Sequence, residues 1–294
     1  MTGAPQAVWL IGADGVSRRL HLQHGPIDLV IEAFGTPSDV ELAYASAWQR
    51  FQDILSVLVG ELALLRAPLG DAHPLLRGPV ARRMAAACWP YRDVFVTPMA
   101  AVAGAVADEI LQAMQQGTAL AKAYVNNGGD IAFHLAPGQA FRTGIVCNPE
   151  HPHGDAIAAL PASQPARGLA TSGWRGRSMS LGIADAVTVL AANAAAADAA
   201  ATMIGNAVNT DHPGIERAAA DMVRDDTDLG ALPVTVNVGV LPFFAVQEAL
   251  SAGMRRADDL YRRGLIQAAF LSLQGENIVV GSAMLPGRQQ QAIG

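Results

Sequence analysis

One stretch limits what this chain can fold into more than any other: Ala170 to Asn209, ATSGWRGRSMSLGIADAVTVLAANAAAADAAATMIGNAVN. In it a lone carboxylate, Asp198, interrupts an alanine run and is followed four residues later by Thr202. The run is expected to be helical from about Asn193 to Val208. Small residues on several faces let such a helix approach another backbone or a flat ligand closely, and an unpaired Asp in those surroundings would be costly. Positions i and i+4 share a helix face, so the Asp198 carboxylate and the Thr202 hydroxyl converge on one point. A hard cation fits there, since Mg²⁺ takes oxygen ligands and needs only one or two carboxylates when phosphate and water complete its shell. The competing reading is a solvent-facing or backbone-bonded Asp, with Thr202 bonded to the carbonyl one turn back.

Composition narrows the partners. The chain has 294 residues, 51% apolar and 16% charged, which describes a folded protein with a sizeable core. Its net charge of -6 and its 20 scattered Lys and Arg argue against a nucleic-acid surface. A small-molecule partner fits better. Cys88 and Cys147 lack metal-ligand spacing and are expected to be reduced thiols. The segment MTGAPQAVWLIGADG has no basic region followed by an apolar core, so a cytoplasmic protein is expected. No apolar run of membrane-spanning length survives its glycines and charges, so no membrane is expected as a partner.

The order of elements suggests a mixed α+β layout. Val8 to Ile11 and Arg18 to Ile31 read as strands around a turn at Gly12 to Gly15. From Ser38, read as an N-cap, through Leu65 the spacing of Val40, Leu42, Ala43, Ala47, Phe51, Ile54, Leu55 and Leu58 predicts one long amphipathic helix. A basic, partly helical segment with Arg77, Arg82 and Arg83 follows, and a helix starting near Pro98 runs to about Met114. Ala121 to Val146 reads as strands with a turn at Asn126 to Asp130, Asn148 to Gly154 as a polar loop, and Ala156 to Leu160 as a strand. Val234 to Val240 and Ala268 to Leu273 read as strands flanking a helix from about Phe244 to Arg263. Helices following groups of strands indicate α+β layering rather than regular βαβ alternation.

Two further segments carry chemistry. Asn126, Asn127, Gly128, Gly129 and Asp130 form a turn whose paired glycines admit a ligand close to the main chain, although an ordinary hairpin turn has the same composition. Thr171, Ser172 and Gly173 offer two hydroxyls and a flexible amide to a phosphate or a flavin edge, with Arg175 and Arg177 adding charge. A capped loop with solvated arginines competes with that reading. His151 and His153 sit in a Pro-flanked loop, and none of the seven histidines has zinc-site spacing. No nucleophile elbow, P-loop or Rossmann glycine fingerprint occurs.

Taken in order, these segments resemble the ApbE-like superfamily, best known for flavin transferases that use FAD and Mg²⁺ to attach FMN to a protein threonine. MAAVAGAVADEIL at Met99 to Leu111 is similar to the family helix that carries a Lys-Gly pair and a downstream Asp, with Gly104 and Asp108 in place. VNNGGDI at Val125 to Ile131 resembles its GGD turn, LATSG at Leu169 to Gly173 its TSG loop, and ADAAAT at Ala197 to Thr202 its metal-binding helix. The resemblance implies that Asp198 and Thr202 hold Mg²⁺ with a backbone carbonyl near Ala100. It also implies that Asn127, Gly128, Gly129 and Asp130, together with Thr171, Ser172 and Gly173, border a flavin nucleotide, FAD or FMN. Asp130 as a base, and Arg175 or Arg177 as charge stabilisers, are the catalytic candidates.

Two departures separate the chain from the transferases. Ala103 stands where they have Lys, and WRGRSMSLGIAD replaces the interval in which they carry a His and a DPRTG-like run. The pattern looks closer to an uncharacterised sister family. The expectation is therefore one ApbE-like α+β domain over residues 1–285, of tunnelling-fold type with two related sheet-plus-helix halves, a polar tail over 286–294, and a homodimer as its assembly. It would bind a flavin nucleotide with a divalent cation and act as a transferase with a diverged site. The alternatives are an enzyme acting on a pterin or purine-like heterocycle, and a non-catalytic flavin-binding protein.

Overall fold

The structure, a computed structural model, describes residues 3–12, 18–145, 156–281 and 284–286. The expected turn at Gly12 to Gly15 falls partly outside these residues. Cys147, the Asn148 to Gly154 loop with His151 and His153, and nearly all of the polar tail lie outside them. In chain order the strands are β1 (Gln6–Ile11), β2 (Arg18–His24), β3 (Ile27–Phe34), β4 (Lys122–Asn127), β5 (Asp130–Leu135), β6 (Ala140–Ile145), β7 (Ala156–Pro161), β8 (Gly168–Ser172), β9 (Ala186–Ala191), β10 (Ile215–Ala219), β11 (Pro233–Val238), β12 (Ala268–Leu273), β13 (Glu276–Val280) and β14 (Met284–Pro286). The helices are α1 (Pro37–Phe51), α2 (Ile54–Gly60), α3 (Leu62–Leu65), α4 (Pro79–Cys88), α5 (Val102–Gln115), α6 (Ala194–Ala207), α7 (Ala220–Val223) and α8 (Phe243–Arg262), with a 3₁₀ turn at Pro98–Ala101. The fold is α+β, as the order of elements suggested.

Two compact units divide the chain. The first comprises Met1–Ala140, Pro161–Ala170 and Ala191–Ala199. Its strands lie in the order β1-β2-β3-β4-β5-β8, with antiparallel pairing from β1 through to β8. Period-2 alternation sends Ile27, Leu29, Ile31 and Ala33 of β3 to the buried face, and likewise Ala123, Val125 and Asn127 of β4. Asn127 is the polar member of that inward set. Helices α1, α4 and α5 complete the core, and α5 is buried on almost every side from Gly104 to Met114. The second unit comprises Phe141–Leu160, Thr171–Leu190 and Ala200–Gly294. In it β9, β12 and β13 pair antiparallel, and every residue of β9 and β12 is buried. The small-residue stripe of α8, Ala245, Ala249, Gly253 and Ala257, is buried with Leu250 and Leu260.

The single helix expected over Ser38 to Leu65 is three helices, and its N-cap is Thr36, not Ser38. Thr36 Oγ1 accepts from the Asp39 amide at 3.3 Å, and Pro37 occupies the first turn, where it forfeits no hydrogen bond. The chain leaves helical geometry at Glu61 (φ −114°), whose carboxylate accepts from the amides of Arg77 (2.6 Å) and Gly78 (2.8 Å) at the start of α4. A local apolar period cannot register that tertiary use of Glu61. The expected strand over Arg18 to Ile31 is also split, into β2 and β3, by a turn in which Gly25 takes φ 57°.

The start of α5 meets the start of α6 closely. A Cβ on Gly104 would lie 2.3 Å from the Ala194 carbonyl oxygen and 2.7 Å from the Ala195 amide nitrogen. Backbone cannot yield as a side chain end can, so Gly104→Ala is expected to cost about 3 kcal/mol in urea unfolding despite its better helix propensity. Gly60→Ala, where a methyl group meets nothing within 4 Å, should be neutral or stabilising by up to about 1 kcal/mol. Equal effects at the two positions would refute the close-contact argument.

Candidate functional site

Each of the two helices that meet at Gly104 supplies a carboxylate to the other's N-terminus. The first amides of a helix have no partner within it and carry partial positive charge. On α6 the Asn193 side chain accepts from the Ala196 amide at 2.8 Å, as an N-cap does. The amides of Ala194 and Ala195 donate to the two oxygens of Asp108 on α5, at 3.0 and 2.9 Å. In return Asp198, on the second turn of α6, accepts from the Gly104 amide at 3.0 Å and from that of Ala103. The Ala103 carbonyl is in turn held by Asn127 Nδ2 at 3.1 Å, which is why a polar residue sits on the inward face of β4.

The glycine turn follows directly. Asn127 and Asp130 pair across it, and Gly128 (φ 65°) and Gly129 (φ 114°) take the left-handed conformations that a two-residue hairpin turn demands. Asn126 Oδ1 accepts from the Gly129 amide at 2.8 Å and fixes the turn from inside. Gly128 is exposed and Asp130 partly so, leaving the outer rim open. Asp130 lies near enough to act electrostatically on Asp198.

Electrostatics sets Asp198 apart. Burial pushes its carboxyl well above the usual carboxylate range, and the Asp130 charge pushes it further; the two amide donors pull the other way, and Asp108 adds a smaller like-charge push. Asp108 is also raised, chiefly by burial, with its two amide bonds and Arg83 opposing. Carboxylates crowded in this way are an arrangement that a cation relieves. The donor set is compatible with Mg²⁺ only if other oxygens contribute. Among the described residues no group of three or more His, Cys, Asp or Glu side chains is placed to hold a metal. Thr202 lies one turn further along α6, in the second unit, and Ala100 in the 3₁₀ turn leading into α5; carbonyl, hydroxyl, water or phosphate oxygens of some kind would have to complete a shell begun by Asp198.

The structure thus brings Asp198, Asp130, Asn127 and the Ala103 to Gly104 backbone together in the first unit. Gly128 and Gly129 form the adjoining turn. Thr171, Ser172 and Gly173 straddle the end of β8 and belong to the second unit, where Thr171 Oγ1 lies 2.8 Å from Thr188 Oγ1. A Cβ on Gly173 would be 2.4 Å from the Asp185 carbonyl oxygen, so this glycine is required by backbone packing in its own unit. Arg175 is paired with Asp185 at 2.7 Å and lies over the Trp174 ring. The Arg177 side chain is exposed, and its carbonyl accepts from Arg224 at 3.2 Å. Cys88 is a buried thiol that donates to the Pro98 carbonyl at 3.8 Å. Sequence reading did not anticipate that Asp108 caps α6. An Asn directly before an alanine run marked the cap position, but nothing local announced a second carboxylate arriving from 86 residues away.

The linkage has a definite sign. A folded-state pKa raised above the unfolded value of 3.8 means that Asp198 favours folding below that pH, and that this contribution is lost as pH rises through the folded value. Asp198→Asn removes the titration. Without divalent cation, its melting temperature relative to the parent protein is expected to rise from pH 4 to pH 8; a difference independent of pH would exclude a strained, ionised Asp198. Asp108→Asn keeps one acceptor and strands one buried amide, so it should destabilise by about 2 kcal/mol at neutral pH in denaturant unfolding.

Comparison with known proteins sets this arrangement in a family. The chain matches the bacterial family described as AbpE over residues 11–279. It is 38% identical to a UPF0280 protein of Methanosphaerula palustris over 159 residues, which is 53% of this chain and 63% of that protein. A UPF0280 protein of Methanothrix thermoacetophila is 36% identical over 154 residues, 52% of this chain and 62% of the relative. The chain thus spans less than two thirds of the length of these curated relatives. Among solved structures, a mutant of the flavin transferase ApbE from Vibrio cholerae aligns over 96% of this chain and 98% of its own, with a TM-score of 0.38 and 12% identity. No helix among the described residues is long and apolar enough to cross a membrane. With the match running from the first strand to the last long hairpin, the chain belongs to the bacterial AbpE family.

Proposed function

We propose that this protein binds a flavin nucleotide together with a divalent cation at the paired helix starts of the first unit. The observation that carries the reading is the Asp198 carboxylate, buried at the Gly104 amide of the neighbouring helix start and within electrostatic reach of Asp130 at the glycine turn. Family membership, together with the segments that resemble the flavin transferases, supports the flavin class. A bound cation would neutralise Asp198 and Asp130 and polarise a diphosphate. The chain's own residues do the rest. Asn127 holds the Ala103 carbonyl and so fixes the lead-in to α5, Gly128 and Gly129 keep the rim free of side chains, and the Asp108 cap keeps α6 in register with α5. Thr202 and the Ala100 carbonyl are the further oxygens proposed for the cation.

A second reading, a flavin binder without transfer, is favoured by one observation. Position 103 is Ala, so no cationic side chain projects from the first turn of α5 toward a phosphate. Thermal shift of the full chain with FAD, FMN, ADP and a pterin, each with and without Mg²⁺, tests both readings. A rise in melting temperature with FAD that needs Mg²⁺, and that Asp198→Asn abolishes, is the expected result. At a ligand concentration of 100 Kd the stabilisation should be about 2.7 kcal/mol. Stabilisation by pterin alone, or by none of the set, would overturn the flavin assignment. FAD binding without release of AMP in the presence of Mg²⁺ and a threonine-containing acceptor would select the non-catalytic reading.

A further inference from the structure

We propose that a separate cleft in the first unit, at the opposite end of α5 from Gly104, binds a small oxyanion. Its volume is about 270 Å³. That is just below the range of pockets for drug-sized ligands, a size suited to a compact phosphate ester or carboxylate. One row of α5 supplies Asp108, Gln112 and Gln115 to the wall, at helical spacing. Arg83 of α4, His134 of β5 and Arg167 face them. Asp108 is common to both places, but here it only forms wall, its oxygens being taken by the α6 amides; the inference rests on Arg83 and Arg167, which the flavin reading does not use, and on another ligand chemistry.

Charge and hydrogen bonding both point to an anion. Arg167 is held by the carbonyls of Ala162, Gln164 and Ala166 and makes no ion pair with a carboxylate among the described residues. Its positive charge is therefore fixed in place and uncompensated. Arg83 donates to Gln112 at 2.8 Å and only distantly, at 3.4 Å, to Glu109, which is already paired with Arg50 at 2.8 Å. Arg83 Nε is buried with no hydrogen-bond partner, a state that costs free energy unless something accepts from it. The one carboxylate in the wall, Asp108, has both oxygens engaged by the Ala194 and Ala195 amides. His134 is fixed too, donating from Nε2 to the Leu120 carbonyl at 3.1 Å while Nδ1 lies 2.8 Å from Gln115. Two arginines against one capped carboxylate, with two amide side chains at the rim, make a preorganised oxyanion receptor.

Calorimetric titration of the full chain with inorganic phosphate, and separately with malonate at matched ionic strength, tests the proposal. Saturable binding of one anion per chain is expected, weakened about tenfold or more by Arg83→Gln and by Arg167→Gln, since each removes a charge-assisted hydrogen bond. Arg175→Gln, in the second unit, and Asp198→Asn should leave it unchanged. Tighter binding of phosphate assigns the cleft to phosphate esters and tighter binding of malonate to carboxylates. Because Arg167 also secures its own loop, Arg83→Gln decides if Arg167→Gln fails to fold. Absence of saturable binding by both anions, or full affinity retained in Arg83→Gln, would overturn the proposal.

Discussion

The site depends on one exchange: each of two helices gives a carboxylate to the free amides of the other. Asp108 of α5 takes the Ala194 and Ala195 amides of α6, and Asp198 of α6 takes the Gly104 amide of α5. Helix starts are where backbone donors lack partners and where the helix dipole favours negative charge, so both bonds satisfy groups that would otherwise be buried and unpaired. The exchange works only at short range. Gly104, with no Cβ, lets the two backbones come close enough for it, and the alanines of α6 keep the approach clear on their side.

That closeness has an electrostatic consequence. Both carboxylates are buried and bonded to backbone amides, but Asp198 also feels the like charge of Asp130, which lies at the end of the glycine turn. A protein selected only for stability would replace such a carboxylate with a neutral isostere. A buried carboxylate whose pKa is raised by desolvation and a like charge is the kind of group that is concentrated at binding sites, where a cation could offset both effects. The surrounding bonds are rigid: Asn127 to Ala103, Asn126 to Gly129.

How far the site could be read from the sequence follows the range of each interaction. The Asn-Gly-Gly-Asp turn is a local matter of left-handed backbone, and its pairing of Asn127 with Asp130 was legible from residue types. The extent of α6 was legible for the same reason: Asn193 as cap and the alanine run as helix lie within one short segment. The helix expected over Ser38 to Leu65 was not one helix, because Glu61 is used 16 residues away to hold the start of α4. The cleft around Arg83 and Arg167 left no local trace at all, since its members come from α4, α5, β5 and the segment before β8.

By itself the sequence determined the elements whose energetics are local: the α+β order of strands and helices, the glycine turn, and the alanine helix with its embedded Asp198. Tertiary structure alone decided what Asp198 faces. Periodicity assigns a residue to a face, but desolvation and like-charge repulsion depend on which other groups arrive there through space. Asp130, Asp108 and the Ala103 and Gly104 amides reach Asp198 from sequence distances of 68 to 95 residues. Coulomb interactions and amide capping act over a few ångströms in space, with no regard to separation along the chain.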